Sequence, residues 1–205
     1  MALNTISDSK EKFYQEFPFV IPHIFRKVAD EMLVELHLLT HQKNFKVDSL
    51  VSMGFVKAFK ELTIGYKPLK HLDLLFNALC NCNNIDPEII KKSCDISIEE
   101  NKSLTLAKIN EFINTSSEAT EEIIKSENSS YNRLTIIGIY KLLECIPKAD
   151  KEEIKTDKEK MTVQIGVKLG YPKDRVEKDI SLFTSNVNKI KEALELIEAI
   201  NSKKS

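Results

Sequence analysis

Apolar residues recur along this chain mainly at steps of three and four, the period of a helix that buries one face. The clearest stretch is Ile21–His41, IPHIFRKVADEMLVELHLLTH, where Ile21, Phe25, Val28, Met32, Leu36 and Leu39 fall on one stripe at about 100° per residue. Pro22 suits a first helical turn. Arg26, Lys27, Asp30, Glu31 and Glu35 take the opposite side, with Arg26/Asp30 and Lys27/Glu31 spaced as opposite-charge neighbours. Val34 and Leu38 interrupt that polar side, which predicts a central helix at about 22–41 with other helices on both flanks.

The same period places helices on either side of it. Thr5 and Ser7 cap a short first helix through Phe17, and Pro18–Pro22 turns the chain. Asp48 caps a helix carrying Val51, Phe55, Ala58, Phe59 and Leu62, which Gly65 ends. Leu72, Leu75, Phe76, Leu79 and Cys80 form the face of the next, closed by Asn81–Asn84. Asp86-Pro87 opens another, with a stripe of Ile90, Cys94 and Ile98 that continues past a weak point at Asn101–Ser103 to Ile109 and Ile113.

Thr115–Ser130 reads as a polar connection around a short helical piece at Glu118–Lys125. Leu134–Ile146 is apolar on almost every side, the mark of a fully buried helix, and Gly138 marks a close backbone approach. Pro147–Lys160 is a charged linker, after which a helix runs from about Met161 to Leu169, with Gly170 as its stop.

From Tyr171-Pro172 the last helix carries Val176, Ile180, Phe183, Val187, Ile190, Leu194 and Ile197 in a heptad register of roughly three repeats. That seam either lies along the bundle or projects and pairs with another chain. The expected organisation is all-α: a helical bundle over 1–146, a linker over 147–160 and a C-terminal helical segment over 161–205.

Composition narrows the picture further. Five glycines and six prolines in 205 residues favour long helices over a hairpin-rich sheet protein. Lys plus Arg number 30 against 31 Asp plus Glu, so net charge offers no pull toward nucleic acid. The longest apolar runs, Phe17–Phe25 and Leu134–Ile146, are too short to cross a bilayer. The N-terminus shows neither signal-peptide nor transit-peptide character, so the chain is expected on the cytoplasmic side.

Candidate chemistry is sparse. His37 and His41 stand four apart, a spacing that can place two imidazoles on one metal, but Leu38 occupies the position of a zinc-protease glutamate and no third ligand is suggested. Cys80 and Cys82 would point about 200° apart on a helix. All four cysteines read as reduced core residues. Phosphate loop, nucleophile elbow and dinucleotide fingerprint are absent from the sequence. No catalytic, cofactor-binding or metal-ligating residue is assigned, and contact with other macromolecules is the expected mode of action.

Three segments carry a resemblance. TISDSKEKFYQEFPFVIPHIFRKVADEMLVELHLL, with GYKPLKHLDLLFNALC after it, resembles the N-terminal half of the thylakoid formation protein family, also called the photosystem II biogenesis family. SSYNRLTIIGIYKLLE is similar to its second block and DRVEKDISLFTSNVNKIKEALELI to its C-terminal helix. The resemblance implies an all-helical, cyanobacterial-type, non-enzymatic protein needed for thylakoid membranes and for photosystem II assembly or repair. It also implies association with membrane FtsH protease complexes at the thylakoid surface. Longer members continue into a charged, basic coiled-coil tail, whereas this sequence stops at INSKKS. The alternative is a homodimeric structural module held by the Val176–Ile197 seam.

Overall fold

The computed structural model describes residues 5–114, 124, 130–146 and 151–202, with backbone alone for 151–156. Among the described residues the regular structure is helical throughout: α1 (Ile6–Glu16), α2 (His23–Thr40), α3 (Ser49–Leu62), α4 (Lys70–Asn81), α5 (Pro87–Glu100), α6 (Leu106–Asn114), α7 (Arg133–Leu142), α8 (Lys151–Lys168) and α9 (Lys173–Ser202). The polar connection expected over 115–130 lies outside the described residues apart from Ile124 and Ser130.

The helix starts follow from caps. Thr5 and Asp8 form a reciprocal capping box at α1: the Asp8 amide donates to the Thr5 hydroxyl and the Thr5 amide to the Asp8 carboxylate. Asp48 Oδ1 accepts from the Val51 amide at 2.8 Å, and Asp86 Oδ1 from the Glu88 amide at 2.8 Å. Asn132 caps α7 by accepting from Thr135 at 2.7 Å, a start that the apolar pattern alone does not reveal. Stops use the left-handed region where the chain must turn: Gly65 (φ 75°), Asn84 (φ 57°) and Gly170 (φ 85°).

The chain forms two compact units, each discontinuous in sequence. The first comprises Met1–Phe45, Phe59–Ile89 and Thr184–Ser205; the second comprises Lys46–Ala58 and Ile90–Phe183. In the first, α1, α2 and α4 pack pairwise around Phe13, Phe17, Leu33, Leu36, Leu75 and Leu79. In the second, α7 packs on α8, and α8 on α6.

Three expectations change. The run 147–160 is not a linker over its length, because α8 already begins at Lys151; residues 147–150 lie outside the described ones. Lysine and glutamate are good helix formers, so a charged run without an apolar period still forms helix when Met161, Thr162 and Ile165 anchor its far end in the core. On α2, Phe25, Met32, Leu36 and Leu39 are buried as expected and Ala29 and Leu33 widen the stripe, but Leu38 is 53% exposed. One face of α2 is covered, whereas all-round burial belongs to α3 and α7. Arg26 and Asp30 do not pair with each other: Arg26 Nε donates to the Ile21 carbonyl at 3.1 Å, and Asp30 meets Lys10 of α1 at 3.6 Å.

Candidate functional site

The heptad helix divides into two parts. Val176, Ile180, Phe183, Val187 and Ile190 are each at most 6% exposed, so these five of the seven seam positions are already covered within the chain. They are not free to zip against a second copy, which corrects the reading of the whole seam as a partner surface. Val176 lies against Gly166, and the Phe183 ring meets Tyr140 edge-on at 6.1 Å. Leu194 is half-buried beside Gly65. Beyond it the helix is bare: Leu196, Ile197 and Ile200 are 65%, 45% and 55% exposed. These three apolar side chains on the last turns of α9 form a candidate contact surface.

The polar clusters elsewhere read as structural. His37 Nδ1 sits 2.9 Å from the Ser9 hydroxyl, and its ring lies 4.1 Å from that of His41. His41 Nδ1 donates to the His37 carbonyl at 2.7 Å. Burial, followed by the neighbouring His41, lowers the His37 pKa below its ordinary 6.5, with Asp8 opposing. Among the described residues no group of three or more His, Cys, Asp or Glu could hold a metal ion.

Lys141, 3% exposed, donates to Glu144 Oε1 at 3.0 Å, and Lys158 donates to the same oxygen at 2.5 Å. Burial alone would raise the Glu144 pKa, but the two ammonium groups outweigh it and hold the carboxyl below its ordinary 4.5. Cys80, Cys82 and Cys94 are buried, reduced thiols, and burial first, then Glu16, pushes Cys82 up to about 12, so it stays protonated and unreactive. An open groove of about 400 Å³ between α8 and α9 is lined by Glu159, Lys160, Lys173 and Glu177 over Val163 and Ile180. Its charges are surface ones, and Lys173 pairs with Glu177 at 3.6 Å.

These shifts set a pH dependence. An unfolded His37 binds a proton more readily than the folded one, so stability falls as pH drops through 6.5. Glu144 acts in the same direction at lower pH: its contribution is present above 4.5 and is lost as pH falls through its depressed folded value. Urea midpoints measured from pH 8 to pH 3 should decline in two stages, and His37→Gln should remove the first. A midpoint unchanged between pH 8 and pH 5 would contradict the buried imidazole.

The sequence model of the thylakoid formation protein family matches residues 5–205. The chain belongs to that family. A Thf1 protein of Prochlorococcus marinus (strain NATL1A) is 47% identical over 206 residues, covering 97% of this chain and 96% of the relative. Thf1 of Prochlorococcus marinus (strain MIT 9312) is 40% identical, covering 95% and 92%. A solved structure of Psb29 superposes with a TM-score of 0.73 at 27% identity, over 92% of this chain and 98% of that one. This member of the thylakoid formation protein family thus matches known relatives along nearly its whole length. The family is named for a role in forming thylakoids, not for a reaction. Among the described residues, no helix is long and apolar enough to cross a membrane.

Proposed function

We infer that the chain is a non-enzymatic accessory protein of thylakoid biogenesis and photosystem II assembly or repair. It acts at the cytoplasmic face of the thylakoid by binding and stabilising membrane FtsH protease complexes. The family match over residues 5–205 carries this reading, because it spans both units and the C-terminal helix. The bare turns of α9 support it physically: Leu196, Ile197 and Ile200 present apolar area that a partner helix can cover.

Co-purification from thylakoids in mild detergent tests it. The intact chain should capture FtsH, and Ile197→Lys with Ile200→Lys should weaken capture at least roughly tenfold while the melting temperature stays put, since each apolar side chain withdrawn from an interface costs about 1.5–3 kcal/mol. Deletion of the protein with FtsH abundance unchanged would count against the reading.

A further inference from the structure

Two of the most exposed apolar side chains lie outside the helices, on loops of the first unit. Val20 is 80% exposed and Leu69 71%: Val20 lies midway between Pro18 and Pro22 after α1, and Leu69 follows Pro68 before α4. The Phe19 ring stacks on that of His71 at 4.1 Å, and the buried Phe17 meets His71 edge-on at 6.1 Å. These aromatic contacts hold the two short segments side by side within the first unit. Proline in each segment limits its backbone freedom, so the tips are stiff rather than floppy.

The charges nearest Leu69 in sequence are basic, with exposed Glu16 and Asp73 each four residues from a tip. From Phe17 to Ala29 the sequence has Arg26 and Lys27 but no acidic residue, and from Leu62 to Leu72 it has Lys67 and Lys70 but no acidic residue. Lys67 and Lys70 flank Pro68-Leu69 directly, both exposed, and neither is in an ion pair among the described residues. Lys67 and Lys70 thus border the Leu69 tip, and Arg26, whose Nε donates to the Ile21 carbonyl, stands next to the Val20 segment. Stiff apolar side chains bordered by basic residues suit the boundary between headgroups and acyl chains, where the lysines stay in the anionic headgroup layer while the tips enter the apolar one.

We propose that this paired-loop surface, Phe19-Val20 and Leu69 with Lys67 and Lys70, docks the protein directly on an anionic lipid surface. The proposal rests on the reading that the protein works at a membrane, and adds that attachment does not need a protein partner.

Flotation with vesicles of phosphatidylglycerol in phosphatidylcholine tests it against vesicles of phosphatidylcholine alone. The intact chain should float with the anionic vesicles, and less so as salt rises. Val20→Asp with Leu69→Asp should lower the partition coefficient by roughly tenfold or more at every salt concentration. Lys67→Gln with Lys70→Gln should lower it about fivefold per lysine at low salt and flatten the salt dependence. All four positions are exposed, so circular dichroism and melting temperature should be unchanged.

No flotation with anionic vesicles, or flotation untouched by both double variants, overturns the proposal. So does a loss confined to a protein partner or to self-association in sedimentation, which would make the patch a protein interface. FtsH capture in detergent by the Val20→Asp/Leu69→Asp chain separates the two readings: it should persist if FtsH is bound through α9, whatever the vesicles show.

Discussion

Gly54→Ala is expected to lower the unfolding free energy by about 3 kcal/mol, near the upper end of what overpacking costs. A Cβ there would lie 1.9 Å from the Leu134 carbonyl oxygen and 2.9 Å from the Gly138 amide nitrogen. The approach is reciprocal, since a Cβ on Gly138 would lie 2.1 Å from the Leu50 carbonyl oxygen. Helix propensity favours alanine over glycine by about 1 kcal/mol, so the intrinsic effect opposes the steric one. Sterics wins because the obstacle is backbone, which cannot rotate aside as a side chain can. The helices α3 and α7 would have to part, and both are buried on almost every side, so several layers lose contact together.

Gly170→Ala is the contrast. Nothing lies within 4 Å of its Cβ position, but φ is +85°, so the expected loss is conformational strain of about 1–2 kcal/mol. Urea midpoints at constant m-value check both. Gly54→Ala with Gly138→Ala should cost less than the sum of the single variants, because the first substitution already separates the helices. A midpoint for Gly54→Ala equal to or above that of the parent chain would refute the close crossing.

Much of this architecture is written in local chemistry. Thr5, Asp48 and Asp86 announce helix starts because a side-chain oxygen before an apolar period has one economical use, and Gly65 and Gly170 announce stops because they take up positive φ. Gly138 is legible for a related reason: a residue without a side chain amid all-round apolar neighbours implies a backbone nearby. The start of α8 is not legible, since Lys151–Lys160 is helical by propensity and lacks the period that a pattern search needs. Nor can a period say what covers it. Val176–Ile190 and the turns beyond share one heptad pattern, yet the first are buried within the chain and the last are bare. The apolar tips at Val20 and Leu69 are invisible to any period, because they stand in short proline-containing loops and only the Phe19–His71 stack makes them neighbours.

Phe183→Ala should cost about 3–5 kcal/mol, the range for truncating a buried aromatic ring, and the loss should be the same at every protein concentration. The ring is 1% exposed, stands edge-on to Tyr140 at 6.1 Å, and has the Lys141 ammonium 5.3 Å from its centroid. Removing it opens a cavity in the second unit and takes a π face away from a buried cation. Were the seam a dimer interface instead, the folded state would be linked to association and the urea midpoint of the parent chain would climb with concentration. Ile197→Lys supplies the other half of the test: at 45% exposure it should shift stability by no more than about 0.5 kcal/mol. A large loss at Phe183 with none at Ile197, both independent of concentration, follows only if α9 is core along its first turns and surface along its last. A concentration-dependent midpoint that Phe183→Ala abolishes would return the whole helix to the role of a pairing seam.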